Sequence, residues 1–385
     1  MAETFGVCEQ RFGAVREVLG RLLDGPDLGA SVAVYVDGRQ AVNLWGGYAD
    51  PQRSRPWQED TLVGVFSTTK TMTALCAHLL SDRGELDFHA PVARYWPEFA
   101  AAGKADTQVR HLMSHTAGLP SWQEPMDGED LYDWEKATGL LAAQEPWWPA
   151  GTAFGYHAVT FGYLVGEVVR RISGDSLGTF FRKELAEPLD ADFHIGLPAA
   201  EEPRVARHRV SPALAAVTDP PDLPPRLAAE AARLFGNPPL DFRRTDSAAF
   251  RAAEIPASNG VGTAAALAAV LSVLACGGES GGVRLMTPQA IGRVFEVPYE
   301  GPDRYGFMGR LRCGNGYLLR SPDQPFSPNA GACMWGGLGG SVAMADTDAR
   351  MGFAYVTNTL NPGPVTGDDR SQELSAAVYA ALAAG

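Results

Sequence analysis

The stretch Phe66-Ser67-Thr68-Thr69-Lys70 is where residue type and spacing first suggest chemistry. A serine hydroxyl is a weak nucleophile at neutral pH unless a neighbour takes its proton and the developing charge is stabilised. Beyond it, Met72, Leu75, Cys76, Leu79 and Leu80 recur at i, i+3, i+4, i+7 and i+8, which predicts an amphipathic helix stopping near Gly84. Ser67 falls at the start of that helix, where backbone N–H groups lack partners and the dipole is positive. Lys70 lies about one turn on, on the same face. The bland alternative is an N-cap serine beside a solvated lysine. Two features weigh against it: the chain has only four lysines (Lys70, Lys104, Lys136, Lys183), and the match sits where the β-like run Leu62 to Phe66 gives way to a helix.

An ammonium cannot accept the serine proton, so a base is needed elsewhere. Tyr156, in Phe154-Gly-Tyr-His-Ala158, follows a Pro149-Ala-Gly-Thr152 turn and precedes a helix, which puts its ring at a loop-to-helix junction. A phenol titrates near 10, and an adjacent ammonium is expected to lower that value and favour the phenolate. A third element, Trp335-Gly-Gly-Leu-Gly-Gly340, leads into a strand at Ser341. Glycines there let a ligand or another backbone approach closely. An edge strand at this point could set the Leu338 N–H beside that of Ser67 as an oxyanion hole. Trp335, Gly336 and Gly337 become candidate substrate-binding residues.

Two other matches are set aside. Gly278-Glu-Ser280-Gly-Gly282 fits a nucleophile elbow, but it follows the helical run Thr263 to Cys276 and opens no helix, so it reads as a helix-terminating turn. Gly260-Val-Gly262-Thr-Ala-Ala265 fits a relaxed dinucleotide fingerprint without a strand before it. There is no P-loop, no H-E-x-x-H and no metal-ligand cluster, and the chemistry above needs no cofactor. Five scattered cysteines without a CxxC pair suggest reduced thiols filling the core.

The elements that must position these residues follow from periodicity. Ala30 to Val36, a turn at Asp37-Gly38, and Gln40 to Trp45 predict a hairpin; Ser341 to Ala345, a turn over Asp346 to Arg350, and Met351 to Thr357 predict another, followed by a helix from Ser371 to Ala384. Strands cluster at the two ends and helices, such as Thr160 to Ile172, in the middle. The fold class is therefore α+β, an antiparallel sheet flanked by helices. Residues 1–85 and 255–385 are expected to form the sheet domain, with residues 86–254 as a mainly helical insertion. Within it Arg204 to Phe250, with proline-rich Pro220 to Pro225, reads equally as an irregular lid or wall and as a surface excursion.

With 45 acidic against 32 basic residues the net charge is -13, which disfavours nucleic acid and anionic membranes as partners. Met1 to Phe12 has no basic and apolar leader pattern, and no apolar run is long enough to span a bilayer, so a cytoplasmic location is expected. The expected partner is a small-molecule ester or acyl donor; oligomeric state is left open.

The three elements, in this order, resemble the serine β-lactamase and penicillin-binding-protein superfamily, most closely its family VIII carboxylesterases. Arg110-His-Leu-Met-Ser-His-Thr-Ala-Gly-Leu119, Tyr95-Trp-Pro-Glu-Phe99 and Gly29-Ala-Ser-Val are similar to stretches that recur in those esterases. The resemblance implies a β-lactamase/transpeptidase-like fold and an acyl-Ser67 intermediate, with Lys70 keeping Tyr156 basic, and makes His115 structural. Where lactam-recognising relatives carry K-T-G this chain has Trp335-Gly-Gly, and where class C enzymes have Tyr-x-Asn it has Tyr156-His-Ala158. Both departures favour a carboxylesterase. The alternatives are an acyltransferase or transacylase, a weak β-lactamase or DD-peptidase, and a non-catalytic binding or assembly protein. Ser67→Ala is expected to abolish ester turnover and fluorophosphonate labelling while the chain stays folded, and Ser280→Ala to leave both unchanged; the reverse pattern would overturn the assignment.

Overall fold

In the computed structural model, which describes residues 1–215 and 224–384, the strands expected at the two ends of the sequence meet in one sheet. Its strands are β1 (Phe5–Cys8), β2 (Gly29–Val36), β3 (Arg39–Gly47), β4 (Tyr299–Pro302), β5 (Arg310–Cys313), β6 (Leu318–Leu319), β7 (Ala332–Gly336), β8 (Val342–Asp346) and β9 (Met351–Thr357). All nine pair antiparallel in the order β1-β3-β2-β9-β8-β7-β6-β5-β4. Asp37 and Gly38, at φ 51° and 73°, make the two-residue turn between β2 and β3. That left-handed pair matches the twist of a hairpin. The β8–β9 hairpin turns through Thr347–Arg350, and β9 then pairs with β2, Phe353 facing Val34 and Thr357 facing Ala30. The sheet strands β1 and β4 to β7 were not anticipated.

Alternation along the central strands sorts side chains to two faces. Val342, Met344, Phe353 and Tyr355 pack with Val15, Leu19, Leu374 and Val378 of helices α1 (Gly13–Asp24) and, at the end of the chain, Asp369–Ala383. Ala343, Ala345, Ala354 and Ala33 turn to the other face, against the apolar helix Ala264–Ala275. Small residues dominate there because the helix sits close: a Cβ at Gly352 would lie 2.3 Å from the Ala268 carbonyl. The helix ends at Gly277 and Gly278, both at positive φ, and the buried Ser280 hydroxyl donates to Ser272 Oγ at 3.0 Å. It lies in the short strand Glu279–Ser280, before the Gly281–Gly282 turn, and is not an exposed nucleophile.

Between the two ends of the sheet the chain runs through α2 (Thr69–Asp82), α3 (Thr160–Ser173) and α4 (Pro225–Gly236). A small sheet of Val63–Gly64, Val261–Gly262 and Phe193–His194 joins this region to the rest. Val63–Gly64 is all that forms a strand in the β-like run before Ser67. Part of the proline-rich passage Pro220 to Pro225, residues 220–223, lies outside the described residues. No helix among the described residues is long and apolar enough to cross a membrane.

The ends of the chain are tied by a buried ionic cluster. Asp27 is 0% and Arg370 4% exposed at a separation of 2.6 Å, and Arg370 also bonds Asp368 and the carbonyls of Thr359 and Gly339. Removing Asp27 leaves the buried Arg370 with Asp368 as its one carboxylate partner and takes the acceptor of the buried Tyr355 hydroxyl. Asp27→Ala is expected to lower the unfolding free energy by about 3–5 kcal/mol in urea denaturation, and a loss under about 1 kcal/mol would contradict this account.

Candidate active site

Ser67 is presented by a tight turn. Phe66–Thr68 forms one turn of 3-10 helix before α2, and Phe66 is held at φ 46°. A bulky residue in the left-handed region is strained, and it persists where surrounding contacts fix it. Thr69 Oγ1 donates to the Phe66 carbonyl at 2.5 Å and accepts from Gly260 N at 2.8 Å. From the far end of the sequence, Ser341 Oγ donates to the Val65 carbonyl at 2.8 Å and Thr68 Oγ1 to the Ser341 carbonyl at 3.2 Å. A Cβ at Gly337 would lie 2.1 Å from the Val65 carbonyl, so the glycine motif serves another backbone's approach. Thr68 and Ser341 went unnoticed in the sequence because their partners are hundreds of residues away.

Ser67, Lys70 and Tyr156 come together. Ser67 Oγ is 3.1 Å from Lys70 Nζ and 2.7 Å from the Tyr156 hydroxyl. Lys70 is 0% exposed, and its other neighbours are the carbonyls of Ala158 at 2.7 Å and Ala257 at 3.0 Å. Burial holds its pKa well below the usual lysine value, and burial pushes Tyr156 up to about 12. Tyr156 keeps some surface open towards the cavity, but the protein encloses the phenol densely enough for desolvation to dominate.

This reverses the expected electrostatics. The sequence suggested an ammonium that makes the phenol acidic, whereas burial shifts both groups towards their neutral forms. The two states are tautomers with the same number of protons. Geometry accommodates the neutral one without a misfit: a neutral amine has two N–H donors for the two carbonyls and one lone pair for the Ser67 hydroxyl, while Tyr156 donates to Ser67 Oγ.

Trp335 is not where a substrate contact was expected. It is 0% exposed and stacks on Tyr156 with ring centroids 5.7 Å apart. Its indole N–H has no hydrogen-bond partner of ordinary geometry among the described residues, yet it lies near the phenol oxygen, where it favours the anion. Gly336 and Gly337 are buried as well. The three form the support behind Tyr156 and Val65, because β7 turns their backbone away from the cavity. His115, also 0% exposed, packs against Trp335 at 4.9 Å and Tyr156 at 5.3 Å between centroids, and its Nδ1 accepts from His157 N at 3.2 Å. Burial holds both histidines below their usual range, His157 at about 3.

Leu338 does reach the cavity, together with Ser67, Phe66, Tyr156, Leu234 and Phe250. The strand before it is not an edge: β7 lies between β8 and β6. However, β6 pairs only with Cys333 and Met334, so the chain beyond Trp335 has no neighbour on that side. Neither Ser67 N–H nor Leu338 N–H donates to any acceptor among the described residues. The cavity has a volume of about 270 Å³ and a mostly apolar lining. Among the described residues no three or more His, Cys, Asp or Glu side chains are grouped to hold a metal ion.

A family model, Beta-lactamase, matches residues 20–377. The chain belongs to the beta-lactamase family. Within that family it is 38% identical to the "Esterase/beta-lactamase LipL" of Mycobacterium tuberculosis over 92% of this chain and 83% of that protein. A solved family VIII carboxylesterase superposes with TM-score 0.92 at 39% identity, covering 98% of this chain and all of the other. A penicillin-binding-protein homologue from Caulobacter crescentus gives 0.90 at 38%, covering 98% and 100%. The chain is thus a serine hydrolase of the esterase type with a β-lactamase/transpeptidase-like fold.

The depressed Lys70 pKa can be measured directly. In protein labelled with ¹³Cε-lysine, Lys70 is expected to titrate well below Lys136, whose pKa the hydrogen bond to Asp130 raises. A Lys70 resonance, assigned through Lys70→Met, that titrates together with Lys136 would refute the neutral pair.

Proposed function

We propose that the chain is a carboxylesterase acting on small esters through an acyl-Ser67 intermediate. The observation that carries the reading is Ser67 Oγ between a desolvated amine and a phenol, at an apolar cavity with two free backbone N–H groups. Lys70 takes the Ser67 proton as Oγ attacks the ester carbonyl. The oxyanion sits between the N–H groups of Ser67 and Leu338, a placement in which one donor is typically worth about 10²–10³ in rate. Tyr156, still protonated at neutral pH, gives its proton to the departing alkoxide.

Acylation leaves Lys70 as ammonium and Tyr156 as phenolate, the ion-pair tautomer of the resting state. Water entering the cavity loses its proton to the phenolate and attacks the acyl carbon. Ser67 Oγ leaves with the proton that Lys70 holds, and both groups return to neutral. Tyr156 is therefore the proton acceptor first expected of it, but in the second half of the cycle.

The name of the mycobacterial relative joins esterase and β-lactamase, and position 335 supports the esterase reading here. A lactam carries a carboxylate close to its scissile bond, which a third-motif lysine helps to hold in lactam-recognising relatives. Trp335 supplies no charge and is sealed behind Tyr156. The loss of a charge-assisted hydrogen bond is worth on the order of 10–100-fold in binding. kcat/KM for a short p-nitrophenyl ester is expected to exceed that for nitrocefin under the same conditions, and a nitrocefin value equal to or above the ester's would overturn the reading. Partition of the acyl group to an added alcohol, measured in the same assay, separates hydrolysis from acyl transfer.

A further inference from the structure

The cavity that reaches Ser67 has one cation in its wall. Arg244, half-buried, lines it beside Gly128, Leu131 and Phe250. Among the described residues its guanidinium makes no hydrogen bond, no ion pair and no contact with an aromatic face, unlike nearby Arg233, which lies over Trp147, and Arg251, which is paired with Glu202 and Asp246. The acids closest in sequence are engaged: Asp246 with Arg207 and Arg251, and Asp241, on the same cavity wall, with the N–H of Arg243.

Arg244 is also held in place. Its carbonyl accepts from Ser247 N at 2.9 Å and Ser247 Oγ at 2.7 Å, which fixes the main chain. The guanidinium lies close against Gly128, where a Cβ would be 2.3 Å from Arg244 Cζ and 2.5 Å from Nη1. Any other residue at 128 would displace it. An arginine seated beside a glycine, facing an apolar cavity with its N–H groups unused, is placed to receive a planar anion in the bidentate manner that carboxylates allow.

We propose that Arg244 is a specificity-determining residue that binds a carboxylate on the substrate, separated from the scissile ester by an apolar spacer that lies along Leu131, Leu234 and Phe250. The substrate class is a hemi-ester of a medium-chain dicarboxylic acid. This rests on the esterase reading for turnover but not for binding. It also differs from lactam recognition, since Arg244 belongs to the helical wall and not to the third-motif strand, so the carboxylate it takes is remote from the reacting bond.

Binding is tested first in the Ser67→Ala chain, where nothing turns over. Calorimetric titration with monomethyl suberate is expected to give a Kd about tenfold lower than with dimethyl suberate, and Arg244→Gln to remove the difference. Turnover is tested in the intact enzyme with mono-p-nitrophenyl suberate and p-nitrophenyl octanoate. Arg244→Gln and Gly128→Ala should each cut kcat/KM for the first by about tenfold and change the second by less than about twofold, with Arg244→Lys recovering part of the loss. Equal losses on both esters, no change on either, or equal binding of the two suberates would overturn the proposal. If no ester is hydrolysed by the unaltered enzyme, the esterase reading falls while the titration still decides the role of Arg244.

Discussion

The burial of a single amine is the constraint on which the rest of the site depends. Lys70 has no solvent contact and no carboxylate partner, only two carbonyls and the nucleophile. Desolvation of an unpaired ammonium is expensive, and a group so placed gives up its charge. Once neutral, it is both a donor to the two carbonyls and a base for Ser67. The left-handed Phe66, the 3-10 turn and the threonine contacts on either side keep Oγ at the one lone pair that remains.

Such placement cannot come from α2 alone. The turn before it is stitched to the far end of the chain by Ser341 and Thr68, and Gly337 packs against the Val65 carbonyl. The same glycine-rich loop is held from its other side by Arg370, which bonds the Gly339 carbonyl while paired with Asp27 and Asp368. The loop carrying Leu338 is therefore fixed between the serine turn and the last helix. The N–H groups of Ser67 and Leu338 are left free on elements that these hydrogen bonds hold in place, the preorganisation that oxyanion stabilisation needs.

Much of this was legible in the residues. The two hairpins, α2, α3 and the last helix follow from periodicities of 2 and 3.6, and Ser67, Lys70 and Tyr156 from spacing at predicted element boundaries. Strands β1 and β4 to β7 were not, because they are two to five residues long and too short to alternate clearly. The downward shift of the Lys70 pKa was not legible because charge on a side chain is set by what covers it, and the carbonyls of Ala158 and Ala257 give no signal in the sequence. Trp335 was misplaced for a similar reason: whether an indole faces a cavity or stacks behind a tyrosine depends on His115 and Tyr156, both more than 150 residues away. Arg244 lies in a proline-broken stretch with no periodicity to assign it a face.

The identity of residue 335 also bears on proton transfer. A cation beside Tyr156 would stabilise its phenolate and move the resting pair towards the ionic tautomer, in which Lys70 has no free lone pair. An indole at that position leaves the pair neutral and contributes one N–H near the phenol oxygen, enough to favour the anion slightly when it forms after acylation. The positive charge in the cavity is carried instead by Arg244, on a wall built by a different part of the chain. Separating the two lets the protein alter how it recognises charge on a ligand without altering the balance between amine and phenol on which acylation depends.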